Sequence, residues 1–413
     1  MIRINRERVE LYLFYFLLFD ILFLPYFPLV SITFGSPIVI IWCIFNFNKI
    51  IKKVERKILL FWSIFLLLCL ISTFISIVIY PQVINGTHVW SDNIKRFGQF
   101  IITGCYYLYF YTYLKSKELN SLVKKVLLSF VFFMTLLAAI FILSKDMFHT
   151  LKYVWNPYDS FLYFHENNML ANYRYNFIWS DPNNPAYMLS VIYLFLNYNI
   201  GIEKKEKIFL IGCSLLSLIA SMSIGGIVVF TVCLFFDPFL FFFKSTTISK
   251  TLKRRVLSTG IGLSVLCYLM RNSIINLFNH LFSKFSLLNE FWLRIISYEG
   301  VSRFEIWSTF LSTKGILPYI FIGTGYTTIL NNSYSSPHNG NLLIFYAYGL
   351  IALICFLYLF LYPYTRKTFL SNLYLLPFFI GFSMNILIGE QKLLFMYIFI
   401  HIYARIGGSR IGK

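Results

Sequence analysis

The stretch "ILLFWSIFLLLCLISTFISIVIY" (58–80) contains no charged side chain over its 23 residues. As an α-helix rising about 1.5 Å per residue, it is long enough to cross the roughly 30 Å hydrocarbon core of a bilayer. Comparable runs recur along the 413-residue chain, which is 58% hydrophobic and only 13% charged. Since a soluble fold cannot hide that much apolar surface, the sequence predicts an all-α polytopic membrane protein.

The apolar runs predict about twelve transmembrane helices within a single transmembrane domain, residues 1–413. Ionisable residues inside these runs are few, so the sequence predicts that any chemistry lies in the loops. The expected spans lie near 11–26, 28–48, 58–80, 97–114, 126–144, 185–202, 208–222, 225–243, 256–270, 340–361, 370–388 and 391–404.

The basic residues indicate which loops share a side of the membrane. One alternating set of short connections carries 25 of the 36 Lys and Arg residues. By the positive-inside rule this set is cytoplasmic, and both chain termini lie on that side. The periplasmic side then carries two long loops, 145–184 and 271–339, and long ordered loops in a compact protein are usually functional. The net charge of +19 follows from this topology, so nucleic acid is not an expected partner.

The sequence gives no sign of a cofactor site. All seven Cys residues lie within or at the ends of apolar runs, so neither a disulfide framework nor a Cys-based metal site is expected. The His spacings match no metal motif, and neither a DxD pair nor the paired carboxylates of a glycosidase is evident. We therefore expect no metal and no cofactor.

The first candidate segment is "NYRYNFIWSDPNNPAYML" (172–189), which leads into the sixth predicted span. Arg174 is a candidate substrate ligand, because a guanidinium group pairs well with phosphate oxygens; contact with lipid headgroups is the alternative. Asp181 and Asn183 are candidate substrate-binding residues, and helix capping is the alternative interpretation of both. Proline in this turn suits the first turn of the following helix.

The second candidate segment is "FWLRIISYEGVSRFEIWSTFLSTKGILPYIFIGTGYTTILNN" (291–332). Arg294 and Arg303 are its candidate phosphate ligands. They are nine residues apart, so one straight helix would not present them on a single face. The "GTG" motif allows the backbone to approach a ligand closely, and a simple turn is the alternative explanation.

The third candidate segment, "SSPHNGNLL" (335–343), ends the longest loop. A histidine side chain in general titrates near neutral pH, so His338 suits a group that accepts or orients a hydroxyl proton, although a lone loop histidine is more often structural. Asn339 and the loop aromatic Tyr334 are candidate sugar ligands. Arginines, a histidine and loop aromatics together indicate a site for a phosphorylated, sugar-like ligand, with a positive protein group stabilising the leaving phosphate.

Taken in order, these segments resemble the O-antigen polymerase and O-antigen ligase superfamily. The matching pieces are Arg174 with "SDPNNPA" (180–186), "RFEIW" (303–307), "GTG" (323–325) and "PHNGNLLIFYAYGLI" (337–351). The resemblance implies a GT-C-type, multi-pass glycosyltransferase of the inner (plasma) membrane of a Gram-negative bacterium, acting in lipopolysaccharide biosynthesis. It implies a metal-independent periplasmic active site, with undecaprenyl-pyrophosphate-linked oligosaccharide and membrane lipid as partners.

The resemblance also implies the roles of the site residues. The arginines would hold the leaving undecaprenyl pyrophosphate, and His338 would act as the base or orienting group for the acceptor hydroxyl. That hydroxyl attacks the anomeric carbon with inversion of configuration. A co-polymerase that regulates chain length is a further implied partner.

Two features bear on which member of the superfamily the chain resembles. Many ligases carry an arginine in the turn between spans seven and eight, where this chain has "SMSIGG" (221–226). Polymerases carry Arg-x10-Gly repeats, and the spacing from Arg303 to Gly315 is one residue too long. The "SDPNN" turn favours an O-antigen polymerase; the alternative is an O-antigen ligase that transfers polysaccharide to lipid A-core. A 12-span lipid-linked oligosaccharide flippase fits less well, because it would place charges inside the bundle and have short outer loops.

Overall fold

The structure is a computed structural model, and it describes most of the chain in separate stretches. The described residues are 6–27, 32–79, 83–84, 87–114, 119–155, 174–179, 181–244, 249, 258, 301–325, 329–330, 333–334, 337–362, 369–384 and 390–407. Arg294, all but one residue of the predicted span 256–270, and much of both long loops lie outside these residues.

The described residues are almost entirely helical, which confirms the predicted all-α class. Two short antiparallel pairs supplement the helices: β1 (Val83–Ile84) with β2 (Thr87–His88), and β3 (Ile329–Leu330) with β4 (Ser333–Tyr334). The helices, in chain order, are α1 (Arg6–Leu22), α2 (Gly35–Phe45), α3 (Phe47–Lys53), α4 (Arg56–Ile79), α5 (Val89–Leu114), α6 (Asn120–Leu143), α7 (Lys145–Trp155), α8 (Asn184–Phe195), α9 (Lys204–Ser221), α10 (Ile224–Lys244), α11 (Val301–Lys314), α12 (Gly340–Tyr348), α13 (Leu350–Leu361), α14 (Leu375–Met384) and α15 (Gln391–Gly407).

Two described helices, α4 and α6, are long and apolar enough to cross a membrane, with mean hydropathies of 2.7 and 2.9. Only 33% and 39% of their most apolar windows are buried within the protein, whereas the core helix of a soluble protein is mostly buried. Shorter apolar helices accompany them, so the predicted number of twelve spans stays a prediction. These shorter segments are Gly35–Phe45, Ile224–Phe236, Leu350–Leu361 and Leu370–Met384.

The span predicted over 340–361 stays a prediction, and the helix within it is interrupted at Gly349. α12 ends at Tyr348, Gly349 takes φ 94° and ψ 169°, and α13 begins at Leu350. This backbone conformation is accessible to glycine but strained for residues with a Cβ atom. The predicted span 28–48 is also shorter than expected as a helix, since α2 begins only at Gly35.

The core is built around α5, which packs against α15, α4 and α2. Its sequence "YYLYFYTY" (106–113) supplies an unusually aromatic centre, with Tyr106, Tyr107 and Phe110 fully buried. Tyr106 stacks on Phe395 of α15 with 4.1 Å between ring centroids. Such pairs add stabilisation beyond the area they bury, so aromatic packing fixes how α5 and α15 meet.

Polar contacts between helix ends fall into two sets. One set joins ends that adjoin the predicted cytoplasmic loops, through the ion pairs Lys49–Glu10, Lys124–Glu206 and Arg405–Glu55. The other set joins ends that adjoin the predicted periplasmic loops, and we call these the outer ends. Its hydrogen bonds are Ser223 to Asn183, Asn341 to Ser383 and Asn93 to Ser76.

Large apolar side chains are exposed along the outside of several helices. Those of α4 and α10 are the clearest, where Val78 and Phe235 are 78% and 64% exposed. Exposed apolar side chains on helices of this hydropathy are compatible with contact with a bilayer. Other exposed members of this surface are Leu67, Phe74, Phe132, Leu136, Val228, Val232, Ile354 and Phe379.

Candidate active site

Arg174 joins two turns at the outer ends of α8, α9 and α10. Its Nε donates to the carbonyl of Ser221 at 3.0 Å, and its Nη2 donates to Oδ1 of Asn183 at 3.2 Å. The Ser223 hydroxyl donates to the same Asn183 oxygen at 2.7 Å. Charge-assisted hydrogen bonds of this kind are the stronger class, so the buried guanidinium fixes the "SDPNN" turn against the "SMSIGG" turn.

The two turns also approach each other closely through their backbones. A Cβ atom on Gly226 would lie 2.1 Å from the Cβ of Ala186, so only glycine fits there. Met222, which directly follows α9, takes the left-handed conformation with φ 48°. The first turn of α8 and the α9–α10 turn therefore form one unit at the outer end.

Asp181 and Asn183 have different roles within this unit. Asn183 is the residue before α8, but its side chain does not accept a hydrogen bond from the helix, so capping by Asn183 is wrong. The Asp181 carboxylate instead accepts from the backbone N–H of Asn183 at 2.7 Å. Pro185 occupies the first turn of α8, as predicted. The Asn183 oxygen is used for tertiary contacts, while Asp181 shapes the turn and remains partly exposed.

The "GTG" segment lies across the break between α12 and α13. The backbone N–H of Thr324 donates to Tyr346 at 3.1 Å, and that of Gly325 donates to Ala347 at 2.8 Å. These carbonyls are at the C-terminal end of α12, where no helical partner follows. The segment therefore caps α12, and the structure favours the turn interpretation of "GTG" over close approach to a ligand.

Gly325 also packs against the outer ends of α4 and α5. A Cβ at this position would lie 2.4 Å from Oδ1 of Asn93 and 2.5 Å from Cβ of Ser76, and its φ is 86°. Asn93 itself donates to the Ser76 hydroxyl at 3.0 Å. One short segment thus ties α12 to α4 and α5 at their outer ends.

His338 directly precedes α12 and is exposed, with a left-handed backbone at φ 45°. The next residue, Asn339, caps the helix: its Oδ1 accepts from the N–H groups of Asn341 at 2.9 Å and Leu342 at 3.1 Å. This cap places the predicted substrate ligand Asn339 in a structural role. The imidazole of His338 stays accessible at the outer end.

α11, which carries Arg303 in its first turn, packs on α12. Phe310 is buried against Tyr346, whose hydroxyl donates to the Phe310 carbonyl at 3.3 Å. The Lys314 ammonium lies 5.8 Å from the Tyr346 ring centroid, and burial lowers the pKa of Lys314. The side chains of Arg303 and Tyr334 lie outside the described residues; only their backbones, in α11 and β4, are described.

α14 connects the Arg174 unit with the start of α12. Gly381 lies against the ring of Tyr187 in α8, and the Asn341 amide donates to the Ser383 hydroxyl at 2.8 Å. The outer end of α14 therefore lies between the segments that contain Arg174 and His338. The structure in this way brings the first and third candidate segments to one side of the helix bundle.

A buried ion pair that the sequence did not predict joins Asp20 of α1 to Lys392 of α15. The Lys392 ammonium, 1% exposed, donates to the carbonyls of Asp20 at 2.7 Å, Leu24, and Pro25 at 3.2 Å, and lies 3.9 Å from the Asp20 carboxylate. That carboxylate accepts from the N–H of Gly35 at 2.6 Å. A lone ammonium inside the predicted span 391–404 was the available signal, because a charge in a span requires a partner.

Comparison of the chain with protein-family models and with curated proteins gives no match.

Proposed function

We propose that the chain is an O-antigen polymerase of the inner membrane, which joins undecaprenyl-pyrophosphate-linked repeat units on the periplasmic face without a metal. The observation that carries the proposal is the clustering of motif segments at the outer ends. The "SDPNN" turn bound by Arg174 is connected through α14 to the start of α12, beside the exposed His338, and the "GTG" segment caps the other end of α12. Their order along the chain is the order that the superfamily resemblance requires.

Membrane insertion is supported by two independent properties of the helices. The exposed apolar side chains of α4, α6 and α10 need a non-aqueous cover, and α4 and α6 have the length of membrane spans. The two sets of helix-end contacts agree with loops that alternate between two sides. We propose about twelve spans with both termini in the cytoplasm.

In the proposed reaction, an acceptor sugar hydroxyl attacks the anomeric carbon of the donor. The bond between that carbon and the pyrophosphate oxygen breaks, a new glycosidic bond forms with inversion, and undecaprenyl pyrophosphate leaves with the bonding electrons. His338 accepts the hydroxyl proton, for which its exposure and its position before α12 are suited. Arg303 stabilises the negative charge that develops on the leaving pyrophosphate.

An O-antigen ligase remains the second candidate, and one contact favours it. Ligases of the superfamily carry an arginine in the turn between spans seven and eight, which this chain lacks in "SMSIGG". The Arg174 guanidinium nevertheless donates to Ser221 in this turn, so a positive charge is present there. Because its Nε and Nη2 are used to join two turns, this guanidinium has a structural role, and the "SDPNN" turn favours the polymerase.

Lipopolysaccharide banding of a deletion strain separates these functions on one gel. Loss of a polymerase leaves core with a single repeat unit, whereas loss of a ligase leaves core with no O-antigen. We expect the single-repeat pattern, restored to a full ladder by the plasmid-borne gene. An unchanged ladder in the deletion strain contradicts both functions.

A further inference from the structure

The inner half of α5 and the outer half of α15 face each other in a register that aromatic contacts define. Tyr106 stacks on Phe395 at 4.1 Å between ring centroids, and Phe110 contacts Phe399 at 5.5 Å. Both helices advance by four residues between these contacts, so they run parallel with a constant register. The turn that precedes these pairs is the first turn of α15, whereas α5 continues further outward to its first residue, Val89.

Gln391 lies one turn before Phe395 and therefore on the same face of α15, toward α5. By the register it is level with Ile102 and Thr103. Its side chain is 2% exposed, and neither Oε1 nor Nε2 has a hydrogen-bond partner within the described part of the chain. A buried amide without partners costs folding free energy, so its presence calls for a bound ligand or water.

α5 carries a polar stripe that continues outward from the level of this amide. Arg96, Gln99 and Thr103 are spaced by three and four residues and continue the helix face that contains Tyr106. Gln99 is 7% exposed; its Oε1 accepts from Nη1 of Arg96 at 2.8 Å, and its carbonyl accepts from the Thr103 hydroxyl at 2.7 Å. No described residue accepts a hydrogen bond from Nε2 of Gln99, so this second amide can still donate hydrogen bonds.

The stripe becomes more accessible toward its outer end. Thr103 is 1% exposed, whereas Arg96 is partly exposed at the first turns of α5. Outward of Gln391, where α15 begins, the face of α5 thus carries the Gln99 amide and then the Arg96 guanidinium. Amides both donate to and accept from hydroxyl groups, and a guanidinium pairs with phosphate oxygens.

We propose that Gln391, Gln99 and Arg96 form a subsite for the sugar attached to pyrophosphate in the lipid-linked oligosaccharide. Gln391 and Gln99 bind hydroxyl groups of that sugar, and Arg96 binds the adjacent phosphate. These are binding and positioning residues, separate from the motif segments around His338. This inference rests on the proposed function, because the subsite would bind one part of the polymerase's lipid-linked substrate.

The test compares Gln391→Met with wild type, because methionine keeps the length and flexibility of the side chain and removes the amide. Ser214→Ala is the matched control: Ser214 is also buried with an unpartnered hydroxyl, but it lies in α9. Each full-length variant is expressed in the deletion strain for lipopolysaccharide banding. Each is also purified in detergent, and its melting temperature is measured with and without glycolipid extracted from that strain.

We expect Gln391→Met to melt at or above the wild-type temperature, since an unsatisfied buried group is lost. We also expect at least a tenfold drop in long-chain O-antigen and loss of the glycolipid-induced rise in melting temperature. Ser214→Ala should match wild type in all three measurements. A normal ladder in Gln391→Met overturns the subsite while the deletion strain still supports the polymerase. A lowered melting temperature with a proportional loss of product assigns Gln391 a structural role and also overturns it.

Discussion

Oδ1 of Asn183 accepts hydrogen bonds from both the guanidinium of Arg174, at 3.2 Å, and the hydroxyl of Ser223, at 2.7 Å. One amide oxygen thereby joins a residue nine positions before it to a residue forty positions after it. The Arg174 guanidinium is buried, so this arrangement stabilises the turn before α8 and also holds a positive charge at the outer end.

Replacing Asn183 with alanine removes the acceptor shared by these two donors. We expect a loss of about 1–3 kcal/mol of stability, because Arg174 and Ser223 both lose a partner in a buried setting. The melting temperature of the purified protein in detergent measures the effect. Asn48→Ala, at an exposed position in α3, is the control and should leave it unchanged. Equal melting temperatures for the two variants contradict a stabilising role for this oxygen.

Gly349→Ala tests whether the break between α12 and α13 is required. The backbone at φ 94° is strained for alanine, and its Cβ would lie 2.7 Å from the carbonyl oxygen of Phe321. We expect the free energy of unfolding to fall by about 1–3 kcal/mol and the "GTG" segment to cap α12 less well. The control is Gly212→Ala in α9, where a Cβ meets nothing within 4 Å. If both variants give wild-type yield, melting temperature and O-antigen ladder, the break has no such role.

The ends of a helix could be predicted where hydropathy alone determines them. The uncharged run 58–80 corresponds closely to α4, because backbone groups in an apolar environment are satisfied best within a helix. The interruption at Gly349 escaped prediction, because an isolated glycine is compatible with a continuous helix. The carbonyls that make the break tolerable are paired with Thr324 and Gly325, which are distant in sequence.

The candidate site could be predicted in outline but not in its internal contacts. The exposed His338 and the proline-rich turn before α8 were visible as polar interruptions in an apolar chain. The sequence could not reveal that Asn183 binds Arg174 and Ser223 instead of capping α8, since those partners come from a different turn. Gln391 was missed because one amide at the edge of an apolar run carries no local pattern.

His338 and Arg303 are expected to be required for chain extension. Because His338 has φ 45°, alanine would add backbone strain, so His338→Asn is the better variant: asparagine tolerates this region and lacks a titratable imidazole. We expect His338→Asn and Arg303→Ala to leave only single-repeat lipopolysaccharide at normal membrane levels of protein. Arg303→Lys should also be impaired, since lysine cannot bind phosphate bidentately.

The control for these variants is Arg8→Ala, at an exposed position in α1 near the predicted cytoplasmic face. It should retain the full ladder. Near-normal extension by His338→Asn or Arg303→Ala removes that residue from the proposed site, and a fully active Arg303→Lys shows that a generic positive charge suffices.

The stability of the folded protein should rise with pH because of the Lys314 side chain. Burial lowers the pKa of Lys314 from its ordinary 10.5, so between the two values the unfolded chain binds more protons than the folded protein. Deprotonation therefore favours folding as pH rises through the lowered pKa toward 10.5. We expect the melting temperature of Lys314→Met to change less between pH 8 and 10 than that of wild type. An identical slope for the two proteins contradicts this role, and Lys52→Met, an exposed replacement, should keep the wild-type slope.

Lys392→Met should be among the most destabilising single changes in the described part of the chain. The variant leaves the Asp20 carboxylate buried beside α2 without its cation, and it removes the donor for three carbonyls at the end of α1. Breaking a buried pair by removing one partner costs about 3–5 kcal/mol.

The double variant Asp20→Asn with Lys392→Met separates the charge effect from the loss of carbonyl contacts. Removing the second charge should recover part of the lost stability, because no unpaired ion then remains buried. Part of the loss should persist, since the end of α1 still lacks a donor and the Gly35 N–H faces a weaker acceptor. Melting temperatures of the two single variants and the double variant in one detergent measure this coupling. If the double variant loses the sum of the two single losses, the residues act independently, and the ion pair does not link α1 to α15.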